Sequence, residues 1–209
     1  GCALGLVALL ALTRLDQSVS FAFPWLRVYS LAFSLDSLAS LFLLPVFLVS
    51  PCIALYGFHY LDKGGNGWRS AVSVCMFNVL ILAMTFVVLA DNMLTFALAW
   101  ELMSVSSYFL ILYDYDKQDT RQASYLYLLF TQTGALFLFA AFGVIFAATG
   151  SLSFAGMDQL SATTKLVVFF LALVGFGSKA GVFPLHVWLP HAHPAAPSHV
   201  SALLSGVMI

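Results

Sequence analysis

The sequence predicts an all-α fold, a polytopic transmembrane helical bundle, and three observations predict it. Of the residues, 62% are hydrophobic and only 8% charged, against about 25% charged in a soluble domain. Apolar runs of about 20 residues, the length that crosses a bilayer at about 1.5 Å per residue, recur along the chain. One of them, GFGSKAGVFPLHVWLP at 175–190, holds a lysine, Lys179, among three glycines and a proline. A lysine at the centre of a spanning helix costs about 2.5–3.5 kcal/mol, and Pro184 leaves the carbonyl of Ala180 without its helical donor. A charge and a broken backbone at one depth are tolerated where protein or water surrounds them. The stretch reads as a discontinuous helix near 165–189, broken around Gly177, Gly181 and Pro184, lining a polar path.

Taken in order, residues 1–13 are apolar but too short to span, and read as the end of a helix. They carry no basic leader or cleavage site, so the chain is expected to begin inside a longer protein, and its last residues, SALLSGVMI, read as an interrupted apolar run. Residues 14–30, with Arg14, Asp16, Pro24 and Arg27, read as a loop with a short extended piece at 21–28. This divides the chain into 1–30 and a transmembrane domain at 31–209. The run 31–60 predicts the first full span, bent at Pro45 and Pro51, with Asp36 about a turn inside its start. Asp36 is either a helix-entry carboxylate, favoured by the positive end of the helix dipole, or a polar residue at the mouth of a proton path. HYLDKGGNGWRS at 59–70 reads as a solvent loop. Residues 71–90 predict a span without ionisable groups, Asp91-Asn92 a turn, and 93–113 a span with Glu101 near its midpoint. DYDKQDTR at 114–121 is a charged loop, from which Asp119 or Thr120 would cap a span at 122–149. Residues 150–164 are a polar connection with a short surface helix at 154–160. Beyond the broken helix, HAHPAAPSH at 191–199 reads as a proline-rich turn, and Val200 opens another helix.

Arg14, Arg27 and Lys165 fall on one side of the membrane, and Lys63, Arg69, Lys117 and Arg121 on the other. The second side, which also holds four of the five histidines, is the one expected in the cytoplasm. The net charge of −1 excludes a basic nucleic-acid surface. Cys2, Cys52 and Cys75 lie in apolar runs without metal-ligand spacing and read as small hydrophobes. No phosphate-binding glycine motif, iron–sulfur or haem cluster, or Ser–His–Asp arrangement is present.

Loops absorb most charges, but not Glu101 and Lys179. Each sits near the centre of a span, so both are expected to face the bundle interior and to meet one another or water. Three readings stay open: a structural ion pair, which often adds no net stability; a ligand counter-ion; and a proton relay. Desolvation disfavours both charges and pairing favours both, so a pair that can separate changes its proton affinity. His186, seven residues past Lys179, has the chemistry to pass protons. His191 and His193 read as solvated loop histidines. A zinc site of His191, His193 and His199 lacks any supporting carboxylate or cysteine in that segment.

LADNMLTFALAWELMSVSSYFLIL at 89–112 and GFGSKAGVFPLHVWLPHAHPAAPSHVSALL at 175–204 resemble the proton-conducting antiporter-like membrane subunits shared by respiratory complex I, multisubunit sodium/proton antiporters and membrane-bound hydrogenases. The resemblance covers about 33–209, and its WELMSVSSYFL and PLHVWLP forms are most similar to the formate hydrogenlyase and hydrogenase-4 type. It implies a fragment of an inverted-repeat fold: most of the first repeat from about residue 71, incomplete at the C-terminus. It implies that Glu101 and Lys179 match the family's glutamate on the fifth helix and lysine on the broken seventh, a pair that modulates a central proton route. His186 matches a polar position just past the break, and Asp36 an aspartate without a firm role. An acidic residue often stands where this chain has His191. The resemblance further implies a subunit of the inner (plasma) membrane that moves protons, or sodium, and holds no redox cofactor itself. Its partners would be other membrane and peripheral subunits of a hydrogenase or complex I-like assembly, in a lipid bilayer and without nucleic acid. A subunit of an NADH-quinone oxidoreductase or sodium/proton antiporter is the neighbouring reading, and a structural membrane anchor the one from another class.

Overall fold

The computed structural model describes residues 2, 5, 18–25, 29–62 and 67–208. Apart from Cys2 and Gly5, which are helical, the reading of 1–13 falls outside these residues, as do those of Arg14, Asp16, Arg27 and Lys63. Val19–Trp25 (β1) and Tyr29–Leu35 (β2) form an antiparallel hairpin, in register from Val19 opposite Leu35 to Trp25 opposite Tyr29. Residues 21–25 of the extended piece expected at 21–28 therefore lie in one strand of a hairpin, whose other strand crosses the boundary drawn at residue 30. The first span does not start at residue 31. LAFSL at 31–35 is apolar enough to join the following helix in a hydropathy reading, yet it alternates as a strand does.

Asp36 marks the change of structure. It stands immediately before α1 (Ser37–Asp62), its Oδ1 accepting the Ala39 N–H at 2.7 Å and its carbonyl the Ser40 N–H at 3.0 Å. That is N-cap geometry, which supplies the helix-entry role. α1 runs through Pro45 and Pro51 to Asp62, and α2 spans Gly67–Leu89, so the described residues of the loop expected at 59–70, namely 59–62 and 67–70, are helical.

α3 (Met93–Ile111) starts at the predicted Asp91-Asn92 turn. Asn92 caps it, Oδ1 accepting from Thr95 N at 2.8 Å, while its Nδ2 donates to the Ser30 carbonyl at 2.8 Å. Asp91 N donates to Ala32 O at 3.0 Å, Ala32 N to Thr95 Oγ1 at 3.0 Å, and Met93 N to Leu152 O at 2.9 Å. One asparagine thus ties the hairpin to the bundle at one end. Asn92→Ala is expected to cost about 1–2 kcal/mol from the cap alone, read as a lowered midpoint of thermal unfolding in detergent.

α4 (Gln118–Thr149) begins four residues before its predicted start, after a short 3-10 turn at Leu112–Asp114. Its N-cap position is Lys117 without a side-chain cap, so neither Asp119 nor Thr120 plays the expected capping part; both already lie in the first turn. At this opposite end Arg69 of α2 pairs with Asp116 at 2.6 Å and stacks on Tyr115. The polar connection holds the expected short helix, as a 3-10 segment at Phe154–Gln159.

α5 (Ala162–Ala180) is capped by Ser161 and ends at Gly181, whose φ of +67° lies in the left-handed region that glycine adopts without a Cβ penalty. The chain turns through Pro184 into a 3-10 segment, Leu185–Trp188, and α6 (Leu189–Ala195). HAHPA is therefore helical, and only Ala196 and Pro197 separate it from α7 (Ser198–Leu203). A proline in the first turn of α6 and another near its end limit it to seven residues.

Among the described residues, five stretches are long and apolar enough to cross a membrane: Ser37–Phe58, Gly67–Leu89, Met93–Asp114, Gln118–Thr149 and the broken Ala162–Ala195. α4 packs most extensively on α5, and α2 on α3. The core between them is built on Leu80 of α2, Leu110 of α3, Tyr127 and Leu138 of α4, and Trp188 beyond the break.

Candidate functional site: a buried lysine beside a broken helix

The α4–α5 crossing places Lys179. A Cβ added to Gly134 of α4 would lie 2.7 Å from Ser178 Cβ and 2.9 Å from the Gly175 carbonyl oxygen; one added to Gly175 would lie 3.0 Å from the Gly134 carbonyl oxygen. Only glycine allows this approach, the small-residue device by which membrane helices come close. Ser178 Oγ donates to the Phe130 carbonyl at 2.6 Å and fixes the register. The next residue, Lys179, is then turned inward, 3% exposed.

The break is secured from two directions. The amides of Gly181 and Val182 both donate to the Gly177 carbonyl, the second at 2.9 Å. Trp188, fully buried, donates its Nε1–H to the Ser178 carbonyl at 2.9 Å and packs edge-on against Tyr127. These bonds take up carbonyls at the end of α5 that would otherwise lack donors. Gly181 is required by its backbone and its crowding, since a Cβ there would meet Leu189 Cδ1 at 2.0 Å; Gly177 has room for one, 3.7 Å from Val182 Cβ. The carbonyl of Gly177, and not its missing side chain, serves the break.

Lys179 Nζ donates to Ser104 Oγ of α3 at 2.9 Å, with the rings of Trp100 and Tyr127 at 5.3 and 6.0 Å, within cation–π range. Glu101 lies on the same face of α3, three residues before Ser104. Its Oε2 accepts from Gln132 Nε2 of α4 at 2.8 Å, while its buried Oε1 has no partner among the described residues. Among the described residues no ion pair within 4.0 Å joins the carboxylate to the lysine. Each of the two side chains is hydrogen-bonded to a neutral partner.

His186 lies past the break in the 3-10 segment, its ring 5.6 Å from that of Phe183; its Nδ1 is buried without a partner, and no hydrogen bond joins it to Lys179 among the described residues. The remaining histidines diverge: His193 Nδ1 shares a hydrogen bond with Ser201 Oγ at 3.1 Å, and His199 packs against Phe77 and Gly57.

Ser104, Gln132, Trp100 and Gly134 were not singled out in the sequence. Ser104 had a signal, its i+3 spacing from Glu101. Gln132 had a weaker one, a carboxamide in the middle of an apolar span. Trp100 and Gly134 had none, because which face of a helix meets a neighbour is settled by packing.

Residues 90–209 match the family described as NADH:quinone oxidoreductase/Mrp antiporter, TM. Hydrogenase-4 component B of Escherichia coli (strain K12) is 38% identical over 188 residues, 89% of this chain and 28% of that protein. The structure of the membrane-bound sulfane sulfur reductase, an archaeal respiratory membrane complex, contains a chain that superposes with a TM-score of 0.81 at 28% identity, covering 99% of this chain and 33% of the other. A chain of the Mrp complex from Dietzia sp. DQ12-45-1b superposes at 0.80 with 20% identity, covering 99% and 40%, a likeness of fold. The chain thus spans between about a quarter and two fifths of these relatives. Its five membrane-crossing stretches make it a multi-pass membrane protein, and the inner (plasma) membrane agrees with such relatives. By the match over more than half its length and by its fold, the chain belongs to the NADH:quinone oxidoreductase/Mrp antiporter transmembrane family.

Proposed function

We propose that this chain is part of a proton-translocating membrane subunit of an energy-converting respiratory complex of the formate hydrogenlyase or hydrogenase-4 type, in which Glu101 and Lys179 relay protons through the membrane interior. The observation that carries the reading is the lysine itself. It is buried about half-way along a broken span and bonded to a neutral hydroxyl three residues along the helix from a carboxylate that it does not touch. A lysine kept only to brace helices would be expected in direct contact with its counter-charge, because an uncompensated buried charge costs several kcal/mol. An ammonium that can exchange a hydroxyl for a carboxylate alters its proton affinity as it moves. His186 is placed by this reading on the far side of the break, as a second acceptor. The identity to hydrogenase-4 component B supports the parent complex; its partners would be other membrane and peripheral subunits, of which the soluble ones would carry out the redox chemistry, with no redox cofactor in this chain.

The test is Glu101→Gln in the full-length protein within its assembly. Gln keeps the shape and a carbonyl oxygen able to accept from Gln132, but cannot take up a proton. Proton movement in inverted membrane vesicles, followed with a pH-sensitive dye while hydrogen production is measured beside it, is expected to fall by on the order of 10²-fold with the complex still assembled. Unchanged proton movement per hydrogen formed would exclude the relay.

A further inference from the structure

We propose that Ser104 and Gln132 are positioning residues that hold the Lys179 ammonium and the Glu101 carboxylate apart, so that the pair rests open. This rests on the relay reading above and adds what sets the resting state. Coulomb attraction in a dry interior draws a nearby ammonium and carboxylate together, so a pair found apart must be held by competing partners. Two are present. Ser104 Oγ donates its own hydrogen to the Trp100 carbonyl at 3.0 Å, the ordinary back-bond of a helical serine. Its lone pairs are left to accept from Lys179 Nζ. The hydroxyl therefore acts towards the lysine as an acceptor of fixed direction, and the rings of Trp100 and Tyr127 flank the ammonium at that position. From the other side Gln132 turns Glu101 towards α4 through Oε2, which leaves Oε1 buried and open as the landing point for a proton or for the lysine. Both holders are neutral and titrate nowhere near working pH, so the spacing they impose does not change as the pair charges and discharges. The titratable groups facing Lys179 are Glu101 from α3 and Tyr127 from α4; His186, beyond the break, makes no hydrogen bond to it.

Ser104→Ala in the full-length assembly removes the acceptor and lets Lys179 close on Glu101. Proton movement per hydrogen formed is expected to fall about tenfold, the scale of one hydrogen bond to a charged group, and its pH profile to be displaced. Ser104→Thr, which keeps the hydroxyl, restores both. Gln132→Met, similar in size and without a donor, acts in the same sense. In a Glu101→Gln background, Ser104→Ala has no added effect, since there is no longer a charge for the lysine to close upon. A wild-type rate and pH profile in Ser104→Ala would overturn the proposal, and so would equal losses in the Ala and Thr variants or full additivity with Glu101→Gln. If Glu101→Gln alone leaves proton movement intact, the relay itself falls, a result separable from the failure of Ser104→Ala against an inactive Glu101→Gln.

Discussion

Lys179→Ala in the complete protein is expected to reduce coupled proton movement by on the order of 10²-fold or more, with the assembly still formed. Two quantities decide what the variant reports. Removing one partner of a directly bonded, buried ion pair costs about 3–5 kcal/mol, because the other charge is left uncompensated. Here Glu101 keeps its bond from Gln132 when Lys179 is lost, and Ser104 keeps its bond to the Trp100 carbonyl. The stability cost should therefore be small, and relief of the desolvated ammonium offsets part of it. Lys179→Met separates charge from volume, since it fills the same space. The expected result is two variants with near-normal thermal midpoints and abolished coupling. If Lys179→Met instead lowers the midpoint as severely as loss of a buried ion pair does, the pair is closed in the assembled complex.

Gly134→Val is expected to have the largest effect on folding. Its Cβ would fall 2.7 Å from Ser178 Cβ and 2.9 Å from the Gly175 carbonyl oxygen, and neither atom is the free end of a flexible side chain. Overpacking of a well-fitted interior costs about 1–3 kcal/mol and more where backbone must move. To accommodate valine, α5 must back away from α4, which breaks the Ser178–Phe130 bond and draws Lys179 from Ser104. Loss of the protein from membranes, or a lowered midpoint with lost proton movement, would bear this out; Gly134→Ala should do less but in the same direction. Gly177→Ala is the control, with room for its methyl group. A Gly134→Val protein as stable as the parent would show that α4 and α5 do not cross as closely as described.

How much of this was legible depended on the contrast between a residue and its surroundings. Lys179 and Glu101 stood out because an ionisable group in an apolar span is costly wherever it lies. The break was legible because Pro184 and Gly181 act through local backbone chemistry. The β2 strand was hidden because LAFSL is as apolar as the helix that follows, and only Asp36 marks the join. The start of α4 was misplaced because QDTRQ is charged enough to read as loop, although a helix end in the headgroup region readily carries charge. That Glu101 and Lys179 would each need a polar partner could be expected; that those partners would be a serine and a glutamine could not. Neutral polar residues are ordinary in membrane helices, and their partners depend on the rotation of one helix against another.

The end of α5 has a further consequence. The helix stops one residue past Lys179, so its aligned peptide dipoles terminate beside the ammonium with their negative end, reduced where Gly181, Val182 and Trp188 already donate to the last carbonyls. Unlike a carboxylate, this counterpole cannot be neutralised by a proton. In the proposed relay it would offer the lysine the same attraction whether Glu101 is charged or discharged, so one member of the pair could be emptied without leaving the other wholly uncompensated.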